Sequence, residues 1–168
     1  DRILHLAGGV RGTGGESAAE INTEGTRQLL EVARTAPGLK AFVLASTCAV
    51  YGDRSWLWVE EDFKPSPNTE YGASKVKAEQ LVIEAAASGF PGTIARIAAV
   101  YGPDFTFMMA ERMRRGKAWL PGEGGNCIPI VHIDDCVGAL MLIAERGGAG
   151  EIYHVADRSS PSLKDFYK

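Results

Sequence analysis

Lys40-Ala41-Phe42-Val43-Leu44-Ala45, followed at once by Ser46-Thr47, is the stretch whose reading decides the fold. The apolar run from Ala41 to Ala45 has strand length and no helical period, which is the pattern of a strand buried on both faces. Such strands belong to parallel sheets covered by helices on either side, and ligands of those sheets sit at the carboxyl ends of the strands. Ser46 and Thr47 are delivered to that end.

The same alternation continues outward in both directions. Upstream, Ile3 to Ala7 reads as a strand that runs into Gly8-Gly9-Val10-Arg11-Gly12-Thr13-Gly14-Gly15. Glu16 to Ala36 then carries Ile21, Gly25, Leu29 and Ala33 at helical spacing and is stopped by Pro37-Gly38. Downstream, a polar and aromatic loop from Asp53 to Thr69 precedes a helix from Glu70 to Ser88, marked by Ala78, Leu81, Val82 and Ala85. A strand Thr93 to Ile97, a turn Tyr101 to Asp104, a basic-faced helix Phe107 to Gly116 and a strand Ile128 to Ile133 follow. A helix Asp135 to Glu145, a strand Ile152 to Val155 and the start of a helix near Ser162 complete the order. Strands alternating with helices predict an α/β fold with a mainly parallel sheet.

Composition narrows the function classes. At 168 residues, 45% hydrophobic and 23% charged, the chain reads as ordinary globular material with room for one core. A net charge of -3 with no long basic run gives no reason to expect nucleic acid or an anionic membrane as partner, so a small-molecule substrate is expected. Cys48, Cys127 and Cys136 form neither a disulfide framework nor a metal-ligand pair and read as small buried residues in a reducing compartment. No metal is expected. No apolar run approaches the length of a membrane span, and a cytoplasmic location is expected. The chain opens on Asp1 directly before strand-like residues and closes as a helix begins, so both ends read as cut.

Tyr71-Gly72-Ala73-Ser74-Lys75 is the strongest chemical signal. Residues four apart share a helix face, so a phenol and an ammonium stand within reach of one another. A tyrosine with a pKa of about 10 is a poor base at neutral pH, and a neighbouring positive charge favours its phenolate. The competing reading is a chance pair on a solvated helix face. Thr47 adds a hydroxyl at the strand end, where a turn cap is the commoner role. Hydroxyl, phenol and amine together are the parts required for hydride chemistry at a carbinol.

These pieces resemble the extended short-chain dehydrogenases, the NAD-dependent epimerase/dehydratase family, over nearly the whole chain. The resemblance rests on His5-Leu6-Ala7-Gly8, Asn22 to Thr26, Ser46-Thr47 with Val50-Tyr51-Gly52, Tyr71 to Lys75 with Ala78-Glu79, Arg96 to Pro103, and Val131 to Asp135. It implies a Rossmann-like doubly wound sheet whose glycine turn lay upstream of Asp1. Residues 1–100 and 128–157 would then be the dinucleotide-binding part, and 101–127 with 158–168 would belong to a small substrate-binding region. It implies NAD or NADP as cofactor, with Ala7, Gly8, Asn22, Tyr71 and Lys75 lining it and Thr47, Tyr71 and Lys75 as the catalytic set. In this scheme Tyr71 exchanges a proton with the substrate oxygen, Thr47 hydrogen-bonds that oxygen, and Lys75 tunes Tyr71 and holds the nicotinamide ribose. His5 and His132 become structural, and the helices 16–36 and 70–88 would pair in a homodimer. The glycines from Gly8 to Gly15 imitate a phosphate-binding turn, but the next strand ends in Ser46-Thr47 and not in the acidic residue that would meet a ribose.

The sequence departs from the sugar-nucleotide members at two places. They carry asparagine where this chain has Ala99 and arginine where it has Ile128. The dehydratases place Asp-Glu where Cys48-Ala49 stands here. The expected activity is therefore hydride transfer to or from a small alcohol or ketone, with a nucleotide-sugar epimerase and a non-catalytic cofactor-binding protein as alternatives. The segment by itself is expected to be inactive. Trp56 and Trp58 are either lips of an apolar pocket or anchors of their loop, and Arg112, Arg114 and Arg115 read as a solvated basic face.

Overall fold

The computed structural model describes residues 1–10, 17, 19–53, 59–103, 115 and 123–166. Their order is β1 (Arg2–His5), a π-helical turn (Glu20–Glu24) leading into α1 (Gly25–Ala33), β2 (Ala41–Thr47), a 3₁₀ turn (Cys48–Tyr51) and α2 (Glu70–Ala87). After these come β3 (Gly92–Ile97), β4 (Ala99–Tyr101), β5 (Ile130–His132), α3 (Ile133–Arg146), β6 (Ile152–Val155) and α4 (Leu163–Phe166).

The main sheet runs β1-β2-β3-β6 with every neighbouring pair parallel, as the βαβ pattern predicts. Successive residues of β2 point to opposite faces, and both faces are covered. Phe42 and Leu44 join Ile94 against Leu30 and Ala33 of α1 and Ala78, Val82 and Ala85 of α2. Val43, Ala95 and Val155 pack against Cys136, Leu140, Ile143 and Ala144 of α3. Phe42, Val43 and Leu44 have no exposed surface, so the apolar run is indeed the strand buried on both sides.

Several boundaries differ from expectation. β1 ends at His5, which leaves Leu6 and Ala7 beyond the ladder. The helix expected from Glu16 opens as a π turn, in which the N–H of Gly25 reaches the carbonyl of Glu20. Ala99–Tyr101 is a strand not foreseen from the sequence, taking Tyr101 from the expected turn and pairing with Ile130–His132 in a separate parallel sheet. The chain changes sheets within two residues: the Ala98 N–H bonds the Val155 carbonyl at 2.9 Å, and the Ala99 N–H bonds the Pro129 carbonyl at 3.0 Å. α3 starts two residues early because His132 caps it, its Nδ1 accepting from the Asp134 N–H at 3.3 Å. Of the three cysteines only Cys136 is buried, Cys48 and Cys127 being half-buried. The helix expected at 107–116 lies outside the described residues but for Arg115, as do Trp56, Trp58, Arg112, Arg114 and positions 11–16 of the glycine loop. No helix among the described residues is long and apolar enough to cross a membrane.

Candidate active site

Thr47 is the last residue of β2, and its side-chain oxygen accepts the Ala49 N–H at 3.2 Å, which caps the 3₁₀ turn. The loop that follows is drawn back onto this turn. Ser66 N–H bonds the Val50 carbonyl at 2.9 Å, and Gly52 adopts φ 65°, where a Cβ would stand 2.3 Å from the Ser66 carbonyl oxygen. Only glycine fits there. Thr69 then caps α2 by accepting the Gly72 N–H at 3.0 Å. A Cβ on Gly72 would lie 2.7 Å from the Ala49 carbonyl oxygen, so the first turn of α2 presses directly on the turn that Thr47 opens.

That contact brings the first turn of α2, and Tyr71 with it, to Thr47, whose hydroxyl is near enough to act on the phenol. The two candidate groups therefore meet at the carboxyl end of a buried strand, the place where open sheets bind ligands. Burial pushes the Tyr71 phenol above its ordinary pKa, and the Thr47 hydrogen bond pulls it back in part.

Lys75 stands one helical turn further on and is only 4% exposed. The ammonium lies close to Gly8, where a Cβ would be 3.6 Å from Nζ. Burial lowers the Lys75 pKa and the Glu79 carboxylate raises it. Lys75 makes no hydrogen bond among the described residues, and since no buried side-chain nitrogen or oxygen there lacks a partner, its Nζ keeps contact with the open space beside Gly8.

Asn22, 1% exposed, fixes the loop opposite Lys75. Its Oδ1 accepts the Gly9 N–H at 2.9 Å, while Nδ2 donates to the Gly9 carbonyl at 2.8 Å and to Ser74 Oγ at 2.9 Å. Ser74 in turn donates to the Tyr71 carbonyl at 2.7 Å. Asn22 thus works as a clamp between the end of β1 and the first turn of α2, with its own polar atoms engaged. Ala7 and Gly8 are exposed beside it. His5 is buried against Thr26 at 3.0 Å, away from Tyr71, and His132 caps α3.

Sequence reasoning assigned no role to Ser74, Glu79 or Arg96. Glu79 and Arg96 form a buried pair at 2.8 Å, each side chain 3% exposed. The signal was a carboxylate at position 79 inside the apolar stripe of Ala78 and Val82, where a charge persists only if it is paired. Beyond the 3₁₀ turn, a cavity of about 600 Å³ is bordered by Cys48, Tyr51, Ile128, His154, Asp157 and Arg158. Burial pushes the Cys48 thiol up to about 11, so it is no nucleophile at neutral pH.

Residues 1–156 match the profile of the NAD dependent epimerase/dehydratase family. The chain is 33% identical over 153 residues to a 4-hydroxy-2-methyl-3-oxo-4-farnesyl-3,4-dihydroquinoline-1-oxide ketoreductase of Stigmatella aurantiaca, covering 86% of this chain and 45% of that protein. It is 30% identical over 176 residues to a dTDP-glucose 4,6-dehydratase of Streptomyces griseus, covering 98% of this chain and 53% of the relative. Its fold overlays that of the UDP-glucuronic acid 4-epimerase from Bacillus cereus, solved with UDP-glucuronic acid and NAD. The TM-score is 0.80 at 30% identity, covering 98% of this chain and 56% of the other. The chain spans about half the length of the curated relatives it matches.

Proposed function

Because the chain belongs to the NAD dependent epimerase/dehydratase family, we propose that the intact protein is an NAD(P)-dependent oxidoreductase that moves a hydride to or from a small alcohol or ketone. Thr47, Tyr71 and Lys75 are its catalytic set. The observation that carries this reading is the packing of the first turn of α2, with Tyr71 and Lys75 on it, against the turn that Thr47 opens at the carboxyl end of β2. Bound NAD or NADP supplies or accepts the hydride. Tyr71 moves a proton at its phenol oxygen, and Thr47 holds the substrate oxygen beside it.

The residues present fit a dinucleotide. The Lys75 ammonium, free of hydrogen bonds among the described residues, has donors for ribose hydroxyls, while Asn22 shapes the Gly8-Gly9 backbone that borders the same space. Ala7 and Gly8 line the cofactor and Asn22 positions them. In this reading residues 1–100 and 128–157 bind the dinucleotide, and 101–127 with 158–168 face the substrate. The protein is cytoplasmic and dimerises through the helical segments 16–36 and 70–88.

A nucleotide-sugar epimerase is the second reading, favoured by the likeness to the UDP-glucuronic acid 4-epimerase. A diphosphate in a partly desolvated pocket requires charge-assisted donors, and losing one costs on the order of 1.5–3 kcal/mol. Ala99 and Ile128 offer none, and Ile128 borders the 600 Å³ cavity with an apolar side chain. Dehydration is disfavoured because Cys48 and Ala49 supply no carboxyl group. A thermal-shift panel on the intact protein with cofactor tests the choice. Ketones or alcohols are expected to stabilise it; strong stabilisation by a UDP-sugar alone returns the epimerase.

A further inference from the structure

We propose that the cavity of about 600 Å³ beyond the 3₁₀ turn receives the body of the substrate, that this body is an uncharged ring system, and that His154 recognises an oxygen on it. The proposal takes the presence of a substrate from the oxidoreductase reading above, whereas the chemistry of the chamber stands on the chamber's own walls.

The cavity begins where β2 ends. Cys48 follows Thr47 directly and borders it, as does Tyr51 from the same 3₁₀ turn. A volume of this order is typical of sites that enclose a drug-sized compound, so a three-carbon ketone would leave most of it to water. Val59, Ile128 and Pro129 supply apolar wall. The charged groups at its border are the carboxylates of Asp53 and Asp157 and the guanidinium of Arg158. Both carboxylates are held by protein donors. Asp53 Oδ2 accepts from Asn68 Nδ2 at 2.7 Å, and Asp157 accepts from the Tyr101 hydroxyl at 3.1 Å and from the His132 N–H at 3.4 Å. Two fixed carboxylates against one guanidinium leave the wall negative, so a phosphate or carboxylate on the ligand meets repulsion there.

His154 is the neutral donor in this wall. Arg96 can only donate, and its Nη1 donates to the Tyr51 hydroxyl at 2.5 Å. Tyr51 passes its own proton to His154 Nε2 at 2.6 Å, the Glu60 carbonyl being the more distant acceptor at 3.3 Å. A neutral imidazole whose Nε2 accepts carries its proton on Nδ1. Glu61 Oε1 stands 3.8 Å from Nδ1, too far for a hydrogen bond, and already accepts the His154 backbone N–H at 3.0 Å. No buried side-chain nitrogen or oxygen among the described residues lacks a partner, so Nδ1 keeps contact with open space. His154 borders the cavity, and this N–H is therefore available to a carbonyl, hydroxyl or ether oxygen. The buried pair of Glu79 and Arg96, by fixing Tyr51, sets the tautomer that the ligand meets.

Calorimetry on the intact protein saturated with NAD or NADP tests the chamber, with uncharged 2-acetonaphthone and anionic 6-acetyl-2-naphthoate as probes. The ketone binds about tenfold more tightly than the naphthoate, and Ile128→Arg, which adds a cation to the wall, shifts that ratio toward the naphthoate by about tenfold. No binding of the ketone, equal binding of the two probes, or a ratio that Ile128→Arg leaves unchanged overturns the proposal. Among 2-acetonaphthones with a second oxygen on the far ring, the tightest binder loses roughly threefold to tenfold in affinity in His154→Phe, while 2-acetonaphthone itself loses nothing. His154→Gln retains the affinity, since its amide accepts from Tyr51 and still donates. Where His154→Phe does not fold, His154→Leu with Tyr51→Phe removes both ends of the bond and serves in its place. Equal losses for probes with and without the second oxygen overturn the role of His154. Hydride transfer, read from the absorbance of the reduced nicotinamide, is scored separately. Probe binding as expected without any transfer refutes the oxidoreductase reading alone, and transfer to a ketone that Ile128→Arg leaves untouched refutes the chamber alone.

Discussion

Two polar clusters occupy successive turns of one face of α2, and they differ in how completely the protein satisfies them. Behind the site, Arg96, Glu79, Ser46, Tyr51 and His154 form a chain in which each polar atom has a partner, down to the 2.6 Å contact between the Tyr51 hydroxyl and His154 Nε2. In front, Lys75 is as deeply buried, yet the described residues offer its ammonium no acceptor. A core closes its hydrogen bonds, and a ligand site leaves some open for the ligand. The same helix thus presents an architectural cluster on one turn and a binding cluster on the adjacent one.

The largest effect expected from breaking this contrast is chemical. Tyr71→Phe removes only the oxygen that Thr47 contacts, so turnover of the intact protein falls by about 10² to 10⁴, with the melting temperature changed by no more than a few degrees. Steady-state kinetics beside a melting curve checks this, and near-normal turnover would remove Tyr71 from the mechanism.

Next in size is Arg96→Met. It strands the Glu79 carboxylate among apolar neighbours and costs about 3–5 kcal/mol in urea unfolding. A loss below about 1 kcal/mol would mean that the rear cluster is less tightly closed than its distances indicate. Lys75→Met is the sharper counterpart. It removes a charge that no protein group hydrogen-bonds, so stability stays level or rises by about 1 kcal/mol while turnover collapses. Destabilisation by Lys75→Met similar to that of Arg96→Met would erase the distinction between the clusters.

The sequence made the scaffold readable wherever one element's own residues decide its shape. β2 was legible because Ala41 to Ala45 are all apolar and Ser46-Thr47 end them, β6 was legible at Ile152–Val155, and α2 was legible to within a residue. Partners distant in sequence decided the rest. Ala99–Tyr101 is too short to announce itself and becomes a strand only because Ile130–His132 lies alongside. The π turn carries Asn22, whose side chain answers to Gly9, thirteen residues away, and to Ser74, fifty-two away. Spacing placed Tyr71 and Lys75 on one face, but it could not show that the ammonium lies close to Gly8. Glu79 and Arg96, seventeen residues apart, were visible as motif letters and became a pair only when α2 crossed β3.

The smallest effect concerns pH and reports on the front cluster from its other side. His5 Nε2 lies 3.0 Å from Thr26 Oγ1, whose own hydroxyl donates to the Asn22 carbonyl at 2.7 Å. Thr26 must therefore accept from His5, which places the proton on Nε2 of a neutral ring. Burial and then the charge of Lys75 hold the His5 pKa below 6.5 in the folded protein. Between that lowered value and about 6.5 the unfolded chain binds more protons than the folded one, so stability rises with pH across this window. The contribution is complete above about 6.5 and is lost as the pH falls toward the folded value. His154, lowered chiefly by burial, acts in the same direction, so acid weakens the fold through both rings. His5→Gln keeps a donor for Thr26 and cannot titrate, so the gap in stability between parent and variant is widest at pH 7.5 and narrows by pH 5.5 in urea unfolding. In a Lys75→Met background the narrowing shrinks, because part of the pressure on His5 is gone. A gap that is the same at every pH, with or without Lys75, would mean that the ammonium does not lie beside His5 and that the front cluster is assembled differently.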